Sequence, residues 1–406
     1  MMNKRAVLAT LLLSATAHAG GLGRPNQMSA RGVGMGGAWV AFVDDATAVW
    51  FNPAAMTEID PQVQVGAEVV VGPRSYTPVA DDGTRGAPQE ATVFAPVPAL
   101  GGVGRFTYND RPSWFTLGGG VWNTYGGQVS YPKTNMPALD STQDAVIEAQ
   151  VGTGLRLSDK FSIGASFRFG IGLFAVQGTR MPYDSDLSAS GIGVSHLWSL
   201  HFRPTSKVKV GVVWRAPMNL TTTGSGTVDG ASGLERVSVE HEQQWPQSAA
   251  LGVGLQATPE LRLATQLDWV QWSTVKALVV KLPGSGNPDQ IYREDWRDSW
   301  TVRLGAEYAV SKAVAVRAGG YYDTEAVIDR SKERQYVDSN KIGLAAGGSF
   351  RIGGKWRIDA AVDYIIPRTH TVKQNTPTTP DYERNKAPGD YRGTLVTIEA
   401  SVARVF

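Results

Sequence analysis

The sequence predicts an all-β transmembrane protein, a 14-stranded antiparallel outer-membrane β-barrel with an N-terminal hatch or plug segment in its lumen. Three observations lead there. From about residue 62, apolar and polar or small residues alternate in block after block, the period that puts successive side chains on opposite faces of a strand. These blocks run roughly 10 to 17 residues, against about 5 to 6 for a strand of an ordinary soluble sheet. The linkers between them alternate strictly between short and long, as in a barrel with tight turns on one rim and longer loops on the other.

The chain opens on a targeting segment, residues 1–19. Lys4 and Arg5 form a positive start, Ala6 to Ala15 an apolar stretch, and Ala17-His18-Ala19 a small-residue cleavage site. The apolar stretch is too short to cross a bilayer, so the mature chain is expected to begin at Gly20, outside the cytoplasm. Beyond it no apolar run approaches the ~20 residues of a transmembrane helix, which leaves the closed barrel as the route into a membrane. With no cysteine, an exported chain must be held by backbone pairing and packing. A formal net charge of +2 gives no electrostatic case for a nucleic-acid partner.

Strands are expected near 62–73, 98–108, 112–124, 144–157, 160–175, 191–203, 207–220, 247–257, 260–281, 297–310, 313–325, 340–351, 355–372 and 392–406. In the fifth, Phe161, Ile163, Ala165, Phe167, Phe169, Ile171 and Leu173 share one face, and Ser162, Gly164, Ser166, Arg168, Gly170 and Gly172 the other. Short turns fall at Asn109-Asp110-Arg111, Ser158-Asp159, Thr205-Ser206, Thr258-Pro259, Ser311-Lys312 and Gly353-Gly354. Long loops are expected at 74–97, 125–143, 176–190, 221–246, 282–296, 326–339 and 373–391. Trp114, Trp122, Trp214, Trp269, Trp272, Trp300, Trp356 and Tyr364 stand at strand ends, as an interfacial girdle requires. The chain stops on Phe406, at the end of a strand whose outward row is Val396, Ile398, Ala400, Val402 and Arg404.

Residues 20–60 do not alternate. Gly32, Gly34, Gly36 and Gly37 make a flexible run, Asp44 and Asp45 offer a cap for a short helix through Ala46–Phe51, and Pro53 ends it by disfavouring the α region at Asn52. Gly32-x-Gly34-x-x-Gly37 matches a dinucleotide fingerprint in letters only, because no strand precedes it. Trp39, Val40, Phe42, Val43, Val49, Trp50, Phe51 and Met56 are too apolar for a solvated tail and need a surface, which the lumen supplies.

The order of a Gly-rich run, Asp44-Asp45-Ala46 and Asn52-Pro53-Ala54 ahead of the first strand resembles the FadL family of outer-membrane transporters for hydrophobic molecules. Trp114 to Gly126 is similar to that family's third strand, and Asp268-Trp269-Val270-Gln271-Trp272-Ser273 to its ninth. The resemblance implies a hatch at 20–60, a barrel over 61–406, and passive movement of a long-chain fatty acid or similar lipophilic compound. It further implies a third strand kinked inward at Gly119, Gly120, Asn123, Thr124, Tyr125 and Gly126, with the Asn52-Pro53-Ala54 element, flanked by Asp44 and Asp45, packed against the kink beside a lateral exit. The loop at 176–190 is short and polar where the fatty-acid transporters carry a long capture loop, so an aromatic or aliphatic hydrocarbon fits as well. Glycines crowded at 118–120 and 126–127 independently point to a bend or close approach in that strand.

Two other classes share this topology, a barrel-embedded enzyme and a general diffusion porin. A barrel-embedded lipid-modifying enzyme needs a catalytic cluster, but His196 and His201 lie five apart on one strand and face opposite ways, and no Gly-x-Ser-x-Gly or His-Glu-x-x-His occurs. Inward carboxylates such as Asp268, Glu307, Asp359 and Asp363 are expected to pair with Arg168, Arg303, Arg317 and Arg357. A general diffusion porin needs an open lumen, which an apolar insert would block. No enzyme activity, cofactor or metal is called for. The expected partners are the hydrophobic ligand, outer-membrane lipid and lipopolysaccharide, and the barrel-assembly machinery reading Phe406; the chain is expected to act as a monomer in the bacterial outer membrane.

Overall fold

The structure, a computed structural model, describes residues 29–108, 111–131, 138–179, 184–230, 233–286, 288–335, 338–374 and 385–406. The leader expected at 1–19 and the first part of the 20–60 segment lie outside the described residues.

Twenty ladder segments join in a single antiparallel sheet and close as 14 staves. Six long ones come first: β1 (Gln62–Pro78), β2 (Gln89–Tyr108), β3 (Arg111–Ser130), β4 (Ala138–Arg156), β5 (Phe161–Thr179) and β6 (Asp184–Phe202). The next staves are broken in two: β7 (Val208–Arg215) with β8 (Met218–Gly230), and β9 (Gly233–Trp245) with β10 (Ser248–Gln256). Then come β11 (Leu261–Val270), β12 (Ala277–Lys281), β13 (Gln290–Arg293), β14 (Ser299–Ala309), β15 (Val314–Asp323), β16 (Lys341–Ile352), β17 (Trp356–Pro367), β18 (His370–Val372), β19 (Gly389–Gly393) and β20 (Leu395–Val405). The barrel closes where β1 pairs with both β2 and β20.

Several long loops are shorter than expected. Residues 221–246 belong almost entirely to the β8–β9 hairpin, paired from Met218↔Trp245 to Gly230↔Gly233. β1 and β5 likewise run on past their expected ends into 74–97 and 176–190. Thr, Ser, Gly and charged residues mask these extensions, because a strand above the bilayer no longer needs an apolar face. The stave expected at 207–220 is broken at Ala216-Pro217, since proline cannot donate to a ladder.

The two faces follow the alternation. Along β17 the outward residues Trp356, Ile358, Val362 and Tyr364 are exposed, while Arg357, Asp359 and Asp363 are buried inside. Arg404 reaches over the rings of Trp356 and Phe406, at 5.6 and 5.2 Å, and so caps the apolar row at the short-turn rim. Trp122 and Trp272 are corrections: both are 1% exposed and lie inside the barrel, not in the girdle. Each stands where the alternation lapses, Trp122 before a bulge and Trp272 in a 3-10 turn, Trp272–Thr274.

Residues 29–59 fill the lumen. They form short helices at Ala30–Gly34 and Ala48–Phe51 and a 3-10 helix at Pro53–Glu58. Asn52 is extended, at φ −163° and ψ 88°, so the proline ends the helix as expected. The insert's backbone rests directly on the wall where the inward residue is glycine. Gly36 adopts φ +64°, and a Cβ there would stand 2.5 Å from the amide nitrogen of Gly320 on β15. Gly36→Ala therefore combines a disfavoured backbone with a backbone collision, and is expected to destabilise the folded barrel by about 1–3 kcal/mol. Denaturant unfolding followed by heat-modifiable gel migration would measure it.

Candidate functional site

The ladder between β2 and β3 stops early. It runs from Tyr108↔Arg111 up to Leu100↔Val121 and ends there, although β2 stays paired to β1 as far as Gln89↔Tyr76 and β3 to β4 as far as Ser130↔Ser141. Gly119 and Gly120 lie below this point, still paired with Gly102 and Gly101. Above it, β3 carries a bulge between Asn123 and Tyr125. The extra residue cancels the period of two, and Trp122, Asn123, Thr124 and Tyr125 are buried in succession. Gly126 follows at φ +94°, where any Cβ would overlap the backbone of Asp144 and Ala145 on β4. Only glycine fits that position.

The bend is held from inside by a buried ion pair. Arg168 on β5 grips Glu148 on β4 at two points, Nη2 to Oε1 at 2.5 Å and Nε to Oε2 at 2.9 Å. Thr124 donates to Glu148 Oε1 at 2.6 Å and Gln150 to Oε2 at 2.8 Å. Arg168 Nη1 also donates to the Ala216 carbonyl at 3.0 Å, so the same guanidinium links the bulge of β3 to the break between β7 and β8. The other inward carboxylates expected to pair do so: Asp268 with Arg303 at 2.5 Å, Glu307 with Arg317 at 2.6 Å and Asp359 with Arg357 at 2.7 Å. Asp363 differs, accepting from Tyr321 Oη at 2.9 Å.

Trp122 covers the end of the β2–β3 ladder. A Cβ on Gly101 or Gly120 would run into its six-membered ring, so the indole lies against both glycines, with Ala46 and Thr47 of the insert beside it. Val49 and Met56 pack over Gly118 below. The Asn52-Pro53-Ala54 element sits elsewhere, which corrects its expected place against the kink. Asn52 donates to the carbonyls of Val40 and Leu200, Ala54 N donates to Ser199 Oγ at 2.9 Å, and Gly154, Gly164 and Gly211 form the floor beneath. It is thus docked on β4 to β7.

The acidic pair also works differently from a helix cap. Asp45 accepts from Thr47 N at 3.0 Å and from the hydroxyls of Thr47 and Ser29, which locks the turn before Ala48–Phe51 and ties it to the first helix. Asp44 instead receives Arg31 at 2.8 Å and Arg262 at 3.2 Å, and Glu307 bridges the same two arginines. Burial alone would raise the Asp44 carboxyl, but Arg31 and Arg262 outweigh it and hold it below the usual carboxylate range. A depressed pKa contributes stability that is complete above the unfolded value, about 4, and is lost as pH falls below it towards the folded value. The stability gap between wild type and Asp44→Asn is therefore expected to stay constant from neutral pH to about pH 5 and to shrink in more acid solution. Thermal unfolding at stepped pH checks this.

Above the insert, the lumen is lined by aromatic side chains that the period of two does not reveal. Tyr125 stacks on Trp245 at 4.9 Å, Trp245 meets Trp272 edge-on at 6.4 Å, and Trp272 meets Trp296 at 5.3 Å. Met218, Leu220, Val275 and Val327 complete this apolar cluster. The pocket between Trp245, Trp272 and Trp296 includes Asp144 and Glu242 but no lysine or arginine among the described residues. Trp245-Pro246 and the lapse of alternation after Val270 were the available sequence signals. Of the histidines, His201 is buried 3.4 Å from Glu58 and His196 stands outside beside Trp214, so the two do not meet.

A profile described as the outer membrane protein transport protein family (OMPP1/FadL/TodX) matches residues 10–406. The chain belongs to this family. It is an outer-membrane protein of a family of transport proteins. Its fold is that of a Pseudomonas aeruginosa FadL homologue, with a TM-score of 0.82 at 19% identity, covering 95% of this chain and 100% of that one. The Ralstonia pickettii toluene transporter TbuX superposes with a TM-score of 0.73 at 16% identity, over 94% of this chain and 99% of that chain. In sequence, an outer membrane protein of Neisseria meningitidis serogroup B is 23% identical over 420 aligned positions, 88% of each chain. A 47 kDa outer membrane protein of Pasteurella multocida is 30% identical over 107 residues, which are 26% of this chain and 24% of that one.

Proposed function

We propose that this family member carries neutral hydrophobic solutes across the outer membrane by passive diffusion, and releases them sideways between β2 and β3. The observation that carries the reading is the ladder that ends at Leu100↔Val121 while both neighbouring ladders continue. An apolar solute is stopped by the charged outer surface of such a membrane, not by its hydrocarbon. A lumen lined by Tyr125, Trp245 and Trp272 takes it past that surface, and a side exit delivers it to hydrocarbon without a second crossing of water. Residues 29–59 act as a hatch that closes the axial route, with Asp44, Asp45, Asn52, Pro53 and Ala54 fixing it to the wall. Trp122 is the residue at the exit. The pocket between Trp245, Trp272 and Trp296 has the buried Asp144 in its lining and no lysine or arginine among the described residues, which supports a neutral solute such as a monoaromatic hydrocarbon over a fatty-acid anion. The chain works as a monomer, assembled through its terminal Phe406.

The test is uptake by cells producing the protein, offered labelled monoaromatics, alkanes and long-chain fatty acids in parallel, with conductance of the purified protein in planar bilayers. Uptake of the hydrocarbons with little steady ion current is expected. A large steady current would reject the closed hatch, and uptake confined to fatty acids would reject the neutral-solute reading.

A further inference from the structure

A second interruption of the wall lies on the opposite side of β1 from the β2–β3 seam. The β17–β20 ladder ends at Ile365↔Leu395, and pairing resumes in β18–β19 only at His370↔Tyr391. The notch between them opens into a pocket lined by Arg74, Lys341, Arg368 and Arg392, with Ile365 and Leu395 as its apolar part. Asp338 is the one carboxylate in the lining, and Lys341 occupies it at 2.5 Å.

Two of the cations face the membrane. On β17 the outward row runs Trp356, Ile358, Val362, Tyr364 and Ile366, all exposed, and its next member is Arg368. On the facing side the outward row climbs from Val402 and Ile398 through Val396 and Thr394 to Arg392. Both arginines therefore stand at the first charged step above the apolar band, level with the headgroups of the outer leaflet. Neither forms an ion pair among the described residues. Asp390, whose charge Arg392 feels, is already held by Arg85 at 3.0 Å and Thr371 at 2.8 Å. Two unpaired guanidinium groups at headgroup height, flanking an apolar notch with Arg74 behind them, form an acceptor for a phosphate.

We propose that this notch binds the phosphorylated headgroup of an outer-leaflet glycolipid, with Arg368 and Arg392 clasping the phosphate. The site rests on the outer-membrane location and not on the proposed transport, so each can fail alone. The test uses the full chain in detergent micelles, titrated by calorimetry with diphosphorylated lipid A and with the same lipid after removal of its phosphates. The phosphorylated lipid is expected to bind about tenfold or more tightly than the dephosphorylated one, as charge-assisted hydrogen bonds require. Arg368→Gln with Arg392→Gln is expected to erase that preference while heat-modifiable migration, the sign of a folded barrel, is kept. Equal binding of the two lipids, or an undiminished preference in the double variant, overturns the proposal. So does an oleate titration in which the variant loses fatty-acid binding but keeps the lipid, which would make the notch a carboxylate site.

Discussion

Cysteines placed at Pro98 and Asn123 and joined by a short bifunctional maleimide are expected to reduce uptake of hydrophobic solutes to the level of cells without the protein. These two positions would face each other if the β2–β3 ladder continued past Leu100↔Val121. Bridging them ties shut the stretch of wall that backbone pairing leaves open. The chain has no cysteine of its own, so the cross-link is unambiguous. Each single cysteine should transport normally, as should a pair at Gly102 and Gly119, which are already opposed in the ladder. Full cross-linking with undiminished uptake would reject a lateral exit at this seam. The experiment is more discriminating than a bulky residue at Gly126: there a Cβ alone meets the backbone of β4, so loss of uptake could reflect a misfolded strand.

The parts of this architecture that were legible from residues alone are those governed by a repeating constraint. A bilayer imposes the same demand on every stave, and the outward row of β17 states it in letters. The barrel, its closing strands and the buried arginine–carboxylate pairs follow from that row and its complement. What was not legible depends on where the repeat is broken. Trp122 and Trp272 read as girdle residues because strand ends and bulges look alike in sequence, yet a one-residue shift moves a side chain from lipid to lumen. The docking of Asn52-Pro53-Ala54 on β4 to β7 depends on Gly154, Gly164 and Gly211, which are far from it along the chain. Their number was visible; their partner was not. The long hairpin β8–β9 read as a loop because its outward row, with Thr221, Thr223, Ser225, Ser238, Glu242 and Gln244, is polar above the membrane, while Val228, Val237 and Val239 turn inward.

The second large effect is expected at Arg168 and Glu148. Both side chains are fully buried, and their double contact also holds Thr124, the extra residue of the bulge. Removing one partner, as in Arg168→Ala, leaves a bare carboxylate in the lumen wall and is expected to cost about 3–5 kcal/mol of stability. Replacing both, Arg168→Met with Glu148→Leu, removes the unpaired charge and should return most of that loss, because a well-packed apolar pair can match a buried ion pair. Uptake should not return with it. Thr124 then has no acceptor at Glu148, the Ala216 carbonyl loses its donor from Arg168, and the polar link between the bulge and the break between β7 and β8 is gone. Unfolding midpoints and uptake rates measured on the same three proteins separate the two roles. If the double variant recovers stability and transport together, the ion pair only stabilises the wall; recovery of stability alone assigns it to holding the bend of β3.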